Sequence, residues 1–241
     1  MIRRFRVVAG PNGSGKSTLV TRLATDYAVN FYTLLNADDV YAHLKRTRSY
    51  FAPLPVDGDR LVASVNGTQF PDGQKEHFRS GAISAKNDCI RFSTDEAVNS
   101  YTVAMLVNFL QDEFINAGIS FSQETVFSHP SKVDAIKKAA DAGFRTYLYY
   151  VAAEDPAINA ARVRDRYAQG GHNVPADKIV ARYGRSLANA AEVLPHLSRA
   201  FFFDNSGSEM RFLASYSSDA GFDFHSPSRE LPRWFMSIAK G

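Results

Sequence analysis

The run Gly10-Pro11-Asn12-Gly13-Ser14-Gly15-Lys16-Ser17-Thr18 carries the most specific chemistry in the sequence. Its glycines tolerate positive φ and leave room for oxygen atoms, so consecutive backbone N–H groups can curl around the β- and γ-phosphates of a nucleotide. Lys16 has the reach to those phosphates, and the Ser17 hydroxyl is the ligand such loops offer to Mg²⁺. Two carboxylates, Asp38 and Glu124, stand at the ends of predicted strands, and in a doubly wound sheet such ends open onto one crevice. Phosphoryl transfer needs one carboxylate to take or align the proton of the attacking hydroxyl and others to hold magnesium. Asp38 is the expected base. The segment Asn36-Ala37-Asp38-Asp39 also has the composition of a helix N-cap, with Asp39 free to cap while Asp38 does chemistry, and Glu124 has the alternative of a structural ion pair.

Arginines form the second constellation. Arg162, Arg164 and Arg166 precede Gly170-Gly171-His172, and Arg182 and Arg185 follow on the next predicted helix. At helical spacing Arg162 and Arg166 share a face while Arg164 points away. An arginine-bearing lid on a glycine hinge would place positive charge on a transferring phosphoryl group, the alternative being a solvated basic helix pair.

The elements that must position these groups are legible from periodicity. Arg4 to Gly10 is a short β-branched run closed by glycine, and Leu19, Val20, Leu23 and Ala24 recur at helical spacing, giving strand, glycine-rich loop, helix. Further strands are expected at Phe31–Leu35, Ile119–Gln123, Arg145–Ala153 and Ala200–Phe203, with helices at about 94–117, 130–142, 155–169 and 176–198. This alternation predicts an α/β three-layer fold, a mainly parallel five-stranded sheet with helices on both faces. The stretch at about 47–92 breaks the alternation with Pro53, Pro55, Gly58, Gly67, Pro71, Gly73 and Gly81 and reads as an insertion. Within it Arg60–Val65 and Asp88–Phe92 have strand composition, and Ser93 with Glu96 makes a capping box that restarts helix. Phe212–Tyr216 and Phe222–His225 predict a C-terminal edge hairpin, followed by a short helix around Trp234. The whole, 1–241, is expected to be a single domain with an insertion at about 47–92 and an arginine-bearing lid at about 160–187.

Composition sets the boundaries. With 45% hydrophobic residues over 241 positions there is ample material for a core. A net charge of +3 is too small for a nucleic-acid footprint and fits an acidic small substrate. Cys89 is the single cysteine, and no apolar run approaches the roughly 20 residues a membrane span needs, so a cytoplasmic protein without membrane attachment is expected. No strand ends in a hydrophobic run followed by Asp-Glu, and there is no Leu-Ser-Gly-Gly-Gln sequence, which argues against motor and transporter ATPases.

Taken together, Ala9–Thr18, Asn36-Ala37-Asp38, Gln123-Glu124-Thr125, Gly170–Pro175, Arg182–Leu187 and Asp204-Asn205-Ser206 resemble the zeta-toxin-like P-loop kinases, in the branch often labelled "predicted ABC-type ATPase". The resemblance covers residues 1–45 and about 100–207 and leaves out the insertion and the tail. It implies an ATP- and Mg²⁺-dependent kinase; the zeta toxins proper phosphorylate a UDP-activated amino sugar on a sugar hydroxyl. It implies roles for Lys16 and Ser17 toward phosphate and magnesium, for Asp38 as base, and for Glu124 with Thr125 on the substrate side. Arg166 and Arg182 correspond to phosphate-facing arginines, and Asn205 lies in a motif that runs close to the adenine. A small helical antitoxin is the partner that the resemblance implies. Two other readings stay open: a nucleic-acid end kinase, and a nucleotide-gated module without transfer.

Overall fold

The computed structural model describes residues 2–67, 81–168, 174–227 and 230–240. In chain order the elements are β1 (Arg4–Ala9), α1 (Lys16–Asp26), β2 (Thr33–Asn36), α2 (Ala37–Thr47), β3 (Ser49–Phe51), α3 (Gly58–Gly67), β4 (Ile83–Lys86), β5 (Cys89–Phe92) and α4 (Ser100–Ala117), then β6 (Phe121–Thr125), α5 (Ser131–Asp141), β7 (Arg145–Ala152), α6 (Pro156–Ala168), α7 (Ala176–Val193), β8 (Arg199–Asp204), β9 (Arg211–Ser217), β10 (Gly221–Phe224) and α8 (Arg233–Ala239). Two compact units result, one of Met1–Tyr32 with Ser120–Gly241, the other of Thr33–Ile119. Among the described residues no helix is long and apolar enough to cross a membrane.

In the first unit β6, β1, β7 and β8 are neighbours in parallel, and β9 and β10 extend the sheet in antiparallel fashion. Parallel strands covered on both faces read as continuous apolar runs, which is why Arg145–Ala152 and Arg199–Asp204 stand out in the sequence. Consecutive residues of β7 take opposite faces. Tyr149 and Val151 pack with Leu19, Leu23, Val8 and Phe31 against α1. Tyr150 turns the other way, its hydroxyl on Ser186 of α7 at 2.9 Å and its ring 5.8 Å from that of Trp234 in α8. The fold is thus α/β and mostly parallel, helices covering both faces. The C-terminal hairpin expected at the sheet edge is present as β9–β10.

Register shifts two expectations. β6 ends at Thr125, not Gln123, so Glu124 belongs to the strand and pairs with Val8. The strand expected at Phe31–Leu35 is β2, Thr33–Asn36; Phe31 is instead buried against α1, and the chain turns at Tyr32, whose φ is +54°.

The second unit holds α2, α3, α4 and a three-stranded antiparallel sheet of order β3-β5-β4. Arg60–Val65 is helical, not a strand: Asp57 Oδ1 accepts from the N–H groups of Asp59 and Arg60, and Leu61 and Val65 are buried at i, i+4 spacing. Asp88–Phe92 does supply a strand, β5. α4 starts later than expected because Asn99 and Thr102, not Ser93 and Glu96, form its capping box, and it ends at Gly118 with φ +66°. Arg60 pairs with the nearly buried Glu113 at 2.9 Å, tying α3 to α4.

Candidate phosphate-binding site

β1 delivers Gly10–Gly15 at the carboxyl edge of the sheet, where Ala9 stands beside Thr125 and Tyr150. The turn is closed by Ser14 N–H on Pro11 O at 3.2 Å, and Lys16 Nζ folds back onto the same carbonyl at 3.0 Å. Two asparagines from distant elements fix its shape. Asn159 of α6, fully buried, donates from Nδ2 to Asn12 O at 2.7 Å, and Asn205 donates to Ser14 O at 2.9 Å. Gly13 (φ +73°) and Gly15 (φ +97°) are the positions these partners press upon: a Cβ would stand 2.5 Å from Asn159 O and from Asn205 Nδ2 respectively. Only glycine combines that backbone with that closeness.

α1 begins without a side-chain cap and without an acidic residue in its first turn. Its first N–H groups and the positive end of its dipole are therefore left for an anion. From that turn Ser17 Oγ donates to both oxygens of Glu124, at 3.0 and 3.3 Å. Thr125 is engaged locally, its Oγ1 accepting from Phe127 N–H at 3.2 Å.

The motif Asp204-Asn205-Ser206 is a junction. Asp204, buried, accepts from Ser206 Oγ at 2.7 Å, Trp234 Nε1 at 3.1 Å and Arg211 at 3.3 Å. Ser206 Oγ accepts from Glu154 N–H at 2.8 Å, while the Glu154 carboxylate receives Arg233 N–H at the start of α8. Arg162 donates to the carbonyls of Asn205 at 2.7 Å and Gly207 at 3.3 Å, so the arginine expected to share a phosphate-facing side with Arg166 is a brace for this junction.

Arg166 is exposed in the last turn of α6 and Arg182 is half-buried on α7; neither is hydrogen-bonded to the loop among the described residues. The hinge Gly170-Gly171-His172 lies outside the described residues. Asp38 belongs to the second unit, in the first turn of α2, its N–H held by Asn36 Oδ1 at 2.9 Å, so Asn36 is the cap and both aspartates are first-turn residues.

Sequence reasoning missed the role of one face of α7. Tyr183 donates to Ala153 O at 2.6 Å, Ser186 to Val126 O at 2.7 Å, and Asn189 Nδ2 to Phe127 O at 2.9 Å. These residues recur at i, i+3 and i+6, a polar stripe that holds the chain leaving β6 and β7. Burial raises the pKa of Tyr150 and Tyr183, keeping both phenols neutral donors. Asn159 was missed as well; its signal was an asparagine three residues before Arg162 at a buried helix position. Lys132, at the start of α5, has its pKa lowered by burial to about 8.

The AAA domain family model matches residues 6–188, which takes in the loop, β6, and Tyr183 and Ser186 of the α7 stripe. The chain belongs to the AAA domain family. Its fold is similar to that of a chain in the AvrRxo1-ORF1:AvrRxo1-ORF2 complex with ATP (TM-score 0.55, 17% identity, 99% of this chain and 64% of that one). It is also similar to a chain from the PezAT chromosomal toxin-antitoxin system of Streptococcus pneumoniae (TM-score 0.56, 11% identity, 99% of this chain and 85% of that one). An uncharacterized protein of Haemophilus influenzae is 33% identical over 69 residues, 29% of this chain. The chain covers 49% of that protein, and it spans less than two thirds of the AvrRxo1 chain. The motif likeness to zeta-toxin-like P-loop kinases thus stands beside an AAA domain match over residues 6–188 and a fold similar to that of the PezAT chain.

Proposed function

We propose that the protein is an ATP-dependent phosphotransferase that passes the γ-phosphoryl group to a hydroxyl of a small acceptor, a UDP-activated amino sugar being the acceptor favoured by the motifs. The observation that carries this reading is the pairing of Ser17 Oγ with Glu124, at 3.0 and 3.3 Å, beside an uncapped helix start and Lys16. Oxygens at adjacent corners of a magnesium octahedron lie about 3.0 Å apart, from metal–oxygen distances near 2.1 Å, so a hydroxyl and a carboxylate at this spacing fit the ion. Ser17 and Glu124 would hold it, and when bound the ion neutralises charge on the β- and γ-phosphates.

The protein's own groups do the rest. Lys16 leaves Pro11 O for the β/γ-phosphates, and N–H groups of Gly13–Thr18 cradle them. Asp38 takes the proton of the acceptor hydroxyl as its oxygen bonds to the γ-phosphorus and the bond to the β-phosphate oxygen breaks, releasing ADP. Arg166 and Arg182 supply lid charge, Thr125 with Glu124 borders the acceptor, and Asn205 couples the adenine side to the phosphate loop. A small helical antitoxin is the protein partner this reading includes.

The test is incubation with Mg-ATP and a panel of nucleotide sugars, nucleosides and oligonucleotides, with mass spectrometry to find which compound gains a phosphate. Asp38→Asn is expected to lower transfer by about 10²–10⁴-fold while ATP binding stays. Transfer at the parental rate removes Asp38 from the mechanism; ADP and free phosphate alone favour a nucleotide-gated module, and a phosphorylated oligonucleotide end favours the nucleic-acid kinase.

A further inference from the structure

The unit Thr33–Ile119 contains a cleft of about 400 Å³ lined by Asn36, Asp39, Val40, His43, Arg46 and Tyr50. Asp39, His43 and Arg46 recur at i, i+4 and i+7, so one face of α2 presents a carboxylate, an imidazole and a guanidinium in line. Tyr50, from β3, sets its ring edge-on to His43 with centroids 6.2 Å apart. Among the described residues the side chains of Asp39, His43 and Arg46 make no hydrogen bond or ion pair. The basic side chains of α2 and its C-cap that lie off the cleft are engaged: Lys45 donates to Asp95 O at 3.1 Å, and Arg48 pairs with Asp95 at 3.6 Å. The volume is that of a small-molecule pocket. From Asp39 to Arg46 the helix rises by about 10 Å.

We infer that this cleft anchors the acceptor, and that the acceptor is a phosphate-bearing carbohydrate or nucleoside held by its phosphate between Arg46 and His43, its hydroxyl end toward Asn36 and the first turn of α2. The inference rests on the reading of Asp38, in that same turn, as the base. The guanidinium fork matches phosphate oxygens in pairs, and His43 adds a donor one turn away. At the other end Asp39 accepts from a hydroxyl and repels a second anion, which fixes the direction in which such a ligand lies. The Tyr50 ring gives the sugar or base a flat apolar wall.

The experiment is calorimetric titration of the Asp38→Asn protein with N-acetylglucosamine 1-phosphate, glucose 6-phosphate, uridine monophosphate and UDP-N-acetylglucosamine, and with the parent sugars and uridine. At least one phosphate-bearing probe is expected to bind about tenfold or more tightly than its parent. Adding Arg46→Ala should erase that preference, Arg46→Lys should restore part of it, and ATP affinity should be unchanged. No preference for phosphate, or a preference that survives both Arg46→Ala and His43→Ala, overturns the inference. Transfer by the parental protein is read separately. An Arg46-dependent preference without transfer supports the cleft and sinks the phosphotransferase reading, whereas transfer undiminished by Arg46→Ala overturns the cleft and leaves Asp38 as base.

Discussion

Ser17 and Glu124 come from elements more than one hundred residues apart, yet the parallel register of β1 and β6 brings them to 3.0 Å. A hydroxyl donating to a carboxylate here is a contact that a divalent cation would replace, since both oxygens are hard ligands. Glu124→Gln preserves the shape of the side chain and its ability to accept from Ser17, and removes the charge. Its effect should therefore appear in the metal dependence: the Mg²⁺ concentration for half-maximal transfer should rise by about 10- to 100-fold, with ATP affinity in the absence of metal nearly unchanged. A magnesium titration of the transfer rate decides this, and an unshifted midpoint would leave Glu124 to the acceptor side alone.

At the scale of elements, α8 and the β8 terminus are joined through Asp204, whose carboxylate serves Trp234, Ser206 and Arg211 at once. Asp204→Ala leaves a buried indole N–H without its acceptor, a loss of about 3 kcal/mol. Trp234 is the single tryptophan of the chain, so its fluorescence should report the loosening directly, together with a lower unfolding midpoint. Unaltered emission and midpoint would mean that α8 is held by apolar packing alone. The start of α5 carries a different strain. Lys132 is half-buried in the first turn of α5, and burial lowers its pKa from 10.5 to about 8. Between those two values the unfolded chain binds more protons than the folded one, so this residue makes stability rise with pH across that window. Lys132→Met should remove that rise relative to the parental protein and raise stability most at and below pH 8. Denaturant titrations between pH 7 and 10 measure the difference, and parallel pH profiles for the two proteins would refute the burial argument.

Across the whole molecule the two units differ in how much the sequence disclosed. The strand, loop and helix of Arg4–Asp26, the apolar runs of β7 and β8 and the terminal hairpin were legible because each spans enough residues to show its period or to end at a turn signal. The unit Thr33–Ile119 was less so: its sheet strands are three or four residues long, too short for alternation to register, and α3 hides between prolines and glycines with a cap, Asp57, that the pattern did not flag. The site followed the same rule. Gly10–Thr18 is local and was read at once, whereas Asn159, Ser186 and Asn189 act on carbonyls 60 or more residues away. The contacts that Asn159, Asn205 and Lys16 make with the phosphate loop fall within the unit Met1–Tyr32 with Ser120–Gly241, and this has a measurable consequence. A ligand that binds only the folded loop stabilises it by about 2.7 kcal/mol at one hundred times its dissociation constant. Mg-ATP should thus raise the unfolding transition reported by Trp234, which lies in that unit. It should also slow amide exchange at Gly10–Thr18, β6 and Asp204–Gly207 more than in β3–β5. Lys16→Ala removes the cation aimed at the phosphates and should abolish both effects. A Trp234 transition that stays fixed in saturating Mg-ATP would contradict the assignment of the loop as the nucleotide's principal holder.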